Sequence, residues 1–136
     1  MPIWLERDGK DSTIFIETIG GTWTWEEYEA IEAEFHAMVG QTNERIDLII
    51  DARATIAFPP GIKQHAEVAL HASAAQNGII VVVASKLVLE MLHILAKEIP
   101  ELGKRLYYTS TIEDARRIIA EDRAGPLSAK NGHCQN

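Results

Sequence analysis

Apolar and polar positions follow two periods along this chain, one near two residues and one near three and a half. Ile3 to Glu6 and Thr13 to Thr18 predict two strands joined by the turn-forming Arg7-Asp8-Gly9-Lys10-Asp11-Ser12. In the second, Ile14 and Ile16 alternate with Phe15 and Glu17, which predicts the more buried strand of the pair. Gly20-Gly21 then predicts a break in the chain. Thr24 and Glu27 stand at capping-box spacing, with Trp23 and Tyr28 at the two staple positions around the cap. Tyr28, Ile31, Phe35 and Met38 form one helical apolar stripe that Gly40 ends. Glu26, Glu29 and Glu32 are expected mostly on other faces, in the N-terminal half where carboxylates suit the helix dipole.

Ile46 to Asp51 predicts a short strand. Pro59-Pro60-Gly61 opens a second helix to about Ala75, with Ile62, Ala66, Ala69 and Leu70 inward. Ile79-Ile80-Val81-Val82-Val83, β-branched throughout, predicts a strand buried on both faces. Ser85 caps a third helix carrying Val88, Met91, Leu92, Leu95 and Ile99 until Pro100 stops it. Leu106 to Thr109 predicts a last strand, and Ser110 with Glu113 a second capping box for a helix through Ile112, Ala115 and Ile119. The order is β β α β α β α β α. That order predicts an α/β fold with a mixed sheet of about five strands, parallel through right-handed crossovers, with an antiparallel hairpin at one edge.

The length of 136 residues suits one domain, expected over 1–123, followed by a fraying tail over 124–136. Hydrophobic residues make up 46% and charged residues 24%, which excludes a disordered or disulfide-stapled chain. The net charge of -7 argues against nucleic acid or an anionic membrane as a general partner. It is unevenly placed: residues 1–50 hold 3 basic and 11 acidic side chains, and the remainder is nearly neutral. The only cysteine, Cys134, lies in the predicted tail, as suits a reducing compartment. No signal peptide and no membrane insertion are expected, so the expected location is cytoplasmic.

The element order, with a hairpin before the first helix, resembles the STAS domain of anti-sigma-factor antagonists and sulfate transporters. Ile46-Asp47-Leu48-Ile49-Ile50-Asp51, followed by Pro59-Pro60-Gly61-Ile62, is similar to that family's third strand, its terminal Asp and its Asp-Ser-Ser-Gly-Ile loop. Leu106 to Ala115 is similar to its last strand and the Glu-Glu-Ala start of its last helix. The resemblance covers roughly residues 3–122 and implies a STAS-like fold that acts through protein contacts. Phe58, Pro59 and Pro60 stand where the family carries a phosphorylatable Ser or Thr, so its phospho-switch is not implied here. Proline offers no hydroxyl and no N–H for an anion.

Few residues suggest chemistry. At the carboxyl ends of the parallel strands the polar candidates are Asp51, Arg53 and Thr55, then Ser85 and Lys86, then Thr109, Ser110 and Thr111. Asp51 and Arg53 either orient a ligand or pair with each other, and the second reading is preferred. Gly20, Gly21 and Thr22 stand where a phosphoacceptor Asp51 would need further acidic residues for magnesium. His65 and His71 lie roughly 240° apart on a helix. His71 has Glu67 as a possible neighbour, and His93 has Glu90 or Lys97, so no metal site is expected. There is no nucleophile elbow and no Gly-rich phosphate loop, and no cofactor is expected.

Trp23 reads as a staple, and Trp25 lies off the helix stripe, partly exposed. Leu87, Leu89 and Ile94 widen the third helix, either for cover on two sides or for a dimer contact. The expected function is a non-enzymatic, STAS-like regulatory or protein-interaction module, homodimeric, meeting a protein partner or itself through Trp25, Phe58, Pro59, Pro60, Gly61 and Ile62. The alternative is a binding domain for a small apolar ligand, held between the sheet and the second helix, where Ala66, Ala69, Ala72 and Ala74 leave room. An enzyme ranks third.

Overall fold

The computed structural model describes residues 2–65, 78–100 and 106–125. Five strands form one mixed sheet in sequential order: β1 (Ile3–Asp8), β2 (Asp11–Gly21), β3 (Asp47–Thr55), β4 (Ile80–Val83) and β5 (Leu106–Thr109). β1 runs antiparallel to β2, and the remaining neighbours are parallel. Helices α1 (Trp25–Val39), α2 (Lys86–Glu98) and α3 (Ile112–Ala124) are joined by a helical turn at 62–65. The α/β class and the mixed five-stranded sheet are those expected from the sequence.

Sequential strand order has a packing consequence. Each right-handed crossover steps the same way along the sheet, so successive connecting helices land on one face. Phe35 and Val39 of α1 pack on Phe15, Leu48 and Ile80, while Val88 and Leu92 of α2 pack on Val82. α3 follows the last strand and covers the other face, with Ala115 and Ile119 against Ile14, Ile49, Val81 and Val83. The period of two in β3 and β4 divides these sets cleanly, as a sheet covered on both sides requires. Since the winding never reverses among the described strands, the crevice at which open α/β sheets usually hold ligands does not form.

The start signals act as their spacing predicts, with one shift. Thr24 Oγ1 accepts from the Glu27 N–H at 3.1 Å, and Glu27 Oε1 accepts from the Thr24 N–H at 2.9 Å. Ser85 caps α2 by accepting from the Val88 N–H. For α3 the cap is Thr111, accepting from the Asp114 N–H at 3.0 Å, rather than Ser110 with Glu113. Both hydroxyls precede an acid by three residues, and the chain leaving β5 turns into helix one residue later than predicted.

Three further expectations are corrected. Gly20 and Gly21 do not break the chain but continue β2, opposite Ala54 and Thr55. A register shift between Thr18 and Gly20 brings the backbone close to β3, where a Cβ on Gly20 would lie 2.9 Å from that of Ala54. Gly21 follows at φ 60, a conformation glycine adopts without strain. This longer pairing carries β3 on to Thr55, so Arg53 and Thr55 continue the strand past Asp51, where the prediction ended it. Glu32 is not on an outer face but buried, between Tyr28 one turn earlier and Phe35 one turn later. The predicted continuation of the second helix through Ala66, Ala69, Leu70, Ala72 and Ala74 to Ala75, with Glu67 and His71, lies outside the described residues. So does the tail from 126, which holds Cys134.

The lower end of the sheet, where the parallel strands begin, is tied by ion pairs. Asp47 is fully buried and accepts from Arg45 Nη2 at 3.0 Å, Arg123 Nε at 2.8 Å and the Ile79 N–H at 2.7 Å. Arg45 also reaches Asp122 at 2.7 Å, and Arg123 reaches Asp11 at 2.7 Å, so α3 is fastened to the starts of β2 and β3. Any side chain at Gly78 would collide with the Ile46 carbonyl and the Asp47 carboxylate. Arg116 of α3 grips Asp8 at the hairpin end through two bonds of 2.9 and 3.0 Å.

Candidate functional site

One row across the face of the sheet covered by α1 and α2 contains a residue out of character. Register places Leu5, Glu17, Ile50, Val82 and Tyr108 side by side on strands β1 to β5. Glu17 is 1% exposed, at an inward position between Phe15 and Ile19. Opposite it, α1 presents Glu32, and the two carboxyl groups meet. Neither is a donor unless protonated, so a hydrogen bond between them requires a shared proton. Among the described residues no group donates to either oxygen of Glu17. Burial above all, then the charge of Glu32 and the hydrogen bond with it, pushes the Glu17 carboxyl well above the ordinary range. On its outer side, Glu32 Oε1 lies 3.8 Å from His36 Nε2.

Glu32 also lines a cavity of about 130 Å³ between this face of the sheet and the helices. Leu48, Ile50, Ile80, Val82 and Leu106 supply its floor. Val88, Leu92 and Leu95 of α2 form one wall, and Trp23, Trp25 and Tyr28 the opposite one. Phe58 and Ile62, from the proline loop and the helical turn after it, complete the lining. The aromatic wall is a single packed group. Trp23 meets Trp25 edge-on at 5.0 Å and Phe58 at 6.2 Å, and Trp25 meets Tyr28 at 5.9 Å. His65 stacks flat on Trp25 at 4.3 Å, and Trp25 Nε1 donates to the Pro60 carbonyl at 2.7 Å. The Trp23 indole N–H is buried with no acceptor among the described residues.

The sequence-predicted site residues therefore separate into two groups. Trp25, Phe58 and Ile62 come together, half-buried, as cavity lining, with Pro59 half-buried beside them. Pro60 and Gly61 are exposed, and Gly61 turns the chain at φ 84. Asp51 and Arg53 pair with each other through bonds of 2.9 and 2.8 Å. Burial alone would raise the Asp51 carboxyl, but the Arg53 hydrogen bonds and charge override it and hold the group below its ordinary value. Thr55 is buried and donates to the Ile19 carbonyl at 3.0 Å. These three are satisfied by the fold's own groups, as the preferred reading held for Asp51 and Arg53.

The residues that sequence reasoning missed are Glu17, Glu32 and the Trp23 N–H. A signal for the first two was present: Glu17 shares parity with Phe15 and Ile19, and Glu32 lies four residues after Tyr28 and three before Phe35. Among the described residues no group of three or more His, Cys, Asp or Glu is placed to hold a metal ion. Nor, among them, is any helix long and apolar enough to cross a membrane. No family model matches the chain, and no curated protein or solved structure matches it.

Proposed function

We propose that this domain is a non-enzymatic binding module that holds a small apolar molecule in the cavity beneath α1 and α2. The cavity carries this reading. Interiors normally pack to crystal-like density, and empty volume costs about 24 cal/mol per Å³. A pocket of about 130 Å³ left within this apolar lining is room that an occupant would fill. Its described lining is apolar and aromatic with one carboxyl group, the composition of a small-ligand site. Benzene-sized molecules occupy apolar voids of about this volume.

Ala52 is buried and lines the cavity beside Trp23, so Ala52→Leu fills it from the sheet side. Titrating the protein with hexanol or benzene by calorimetry or NMR should show saturable binding in the original chain and loss of it in the variant. Equal binding in both proteins, or in neither, would contradict this function.

A second reading, the STAS-like regulatory module acting as a cytoplasmic homodimer, draws support from the element order and from α2. Leu87 and Ile94, 62% and 61% exposed, lie two turns apart on its outer face. If that face carries self-association, Leu87→Glu with Ile94→Glu should convert a dimer to a monomer in sedimentation. A monomeric original chain would dispose of it.

A further inference from the structure

Resting on the reading of the cavity as a small-molecule site, we propose that its occupant carries a neutral oxygen acceptor, a ketone or an ether, bound by the Trp23 indole N–H. The chain has three tryptophans, and the fold treats one of them differently. Trp4 Nε1 donates to Glu6 at 3.3 Å, and Trp25 Nε1 donates to the Pro60 carbonyl at 2.7 Å. Trp23 is 4% exposed, and among the described residues nothing accepts from its Nε1. A buried Trp ordinarily finds a partner for this group, because a donor withdrawn from water and left unpaired bears its full desolvation cost. Packing holds the indole inside. Ile3, Ile19 and Ala52 lie against it, and the rings of Trp25, Tyr28 and Phe58 stand at 5.0, 5.9 and 6.2 Å. Those side chains offer chiefly hydrocarbon and ring faces, and a ring face is a weak acceptor. Trp23 also lines the cavity, so the missing acceptor falls to the occupant.

An indole N–H donates and never accepts, so the matching group on the occupant is an acceptor. Apart from Glu32 the described lining is aliphatic and aromatic, and a charged occupant would surrender its hydration to side chains of that kind. A carbonyl or ether oxygen asks for one donor and brings no proton in need of a further acceptor. A hydroxyl brings such a proton with it. The remainder of the molecule is hydrocarbon, a ring or short chain of about six to eight non-hydrogen atoms, judged from the apolar void that accepts benzene. Trp23 directly precedes the Thr24 cap of α1, so the donor is held in place before the occupant arrives.

Cyclohexanone and methylenecyclohexane share one shape and differ only in oxygen against methylene, which makes them the probes. NMR titration of the full chain gives the ratio of their affinities. Trp23→Phe keeps an aromatic ring and removes the N–H, and it should shift that ratio against cyclohexanone by about tenfold. The extra room left by Phe is common to both probes and cancels in the ratio. In the original chain the Trp23 indole proton should move downfield with cyclohexanone and not with methylenecyclohexane. An unchanged ratio, or an indole proton that responds alike to both probes, would overturn the proposal and leave the apolar cavity standing. Binding of neither probe would overturn the cavity reading and this one with it. Should Trp23→Phe fail to fold by circular dichroism, the indole proton of the original chain decides alone.

Discussion

Asp47 and Glu17 sit on neighbouring strands, both withdrawn from water, and their surroundings are opposites. Asp47 is met by two guanidinium groups and a backbone N–H, each within 3.0 Å. Glu17 meets another carboxyl group and apolar side chains, with no donor among the described residues. Burying a charge costs several kcal/mol unless partners replace the lost water. At Asp47 the fold supplies those partners and gains a joint between α3, β2 and β3. At Glu17 the described residues supply none, and burial raises its carboxyl instead. A polar group satisfied from all sides belongs to the architecture, whereas one left unsatisfied beside a cavity is where local rules give way to function.

The contrast is broken most forcefully at the paired site. Asp47→Ala removes the common acceptor of Arg45 and Arg123 and the partner of the Ile79 N–H. Loss of one partner of a buried ion pair costs about 3 to 5 kcal/mol, and the partial exposure of both guanidinium groups sets the expectation at about 3 kcal/mol. Chemical denaturation measures it, and a loss below about 1 kcal/mol would refute the architectural role of Asp47.

At the unpaired site the sign reverses. Glu17→Leu should stabilise the protein near neutral pH by about 1 to 3 kcal/mol, since an apolar side chain carries no desolvation cost. The pH dependence follows from the raised carboxyl of Glu17. Its folded state holds the proton more tightly than the unfolded chain, whose value is near 4.5. Its contribution to stability is therefore fully present below that value and is lost as pH rises toward the folded one. The advantage of the variant should be largest near neutrality and small at about pH 4. Asp8, Asp11 and Asp51 titrate in the opposite sense, each held low chiefly by hydrogen bonds, and these common terms cancel between the two proteins. Denaturation curves at the two pH values distinguish the outcomes. An advantage that grows toward acid would contradict the assignment.

The smallest effect concerns the cap of α3. Thr111→Ala should cost about 1 kcal/mol and Ser110→Ala only a few tenths, because Thr111 receives the Asp114 N–H. Thermal unfolding that ranks the two the other way would restore the cap predicted from the sequence.

Much of the architecture was legible in local pattern. The β-branched run at Ile80–Val83, the Thr24 capping box and the Val88–Leu92 stripe each point one way at every level, and each forms as expected. The extension of β2 through Gly20-Gly21 was not legible, because pairing with β3 overrides the local preference of glycine. The site was legible only in part. Trp25, Phe58 and Ile62 stood out as apolar excess, but their convergence on one cavity depends on loops that no local rule places. Glu17 and Glu32 occupy positions whose spacing reads as core, and acidic side chains there are ordinarily assigned to the surface. Only the meeting of β2 with α1 shows that both are inside.

The most direct measurement is an NMR titration of the carboxyl carbon of Glu17 in the full chain. The account predicts a midpoint well above 4.5. A midpoint at or below 4.5 would mean that the Glu17 charge is already compensated, and the contrast with Asp47 would fall.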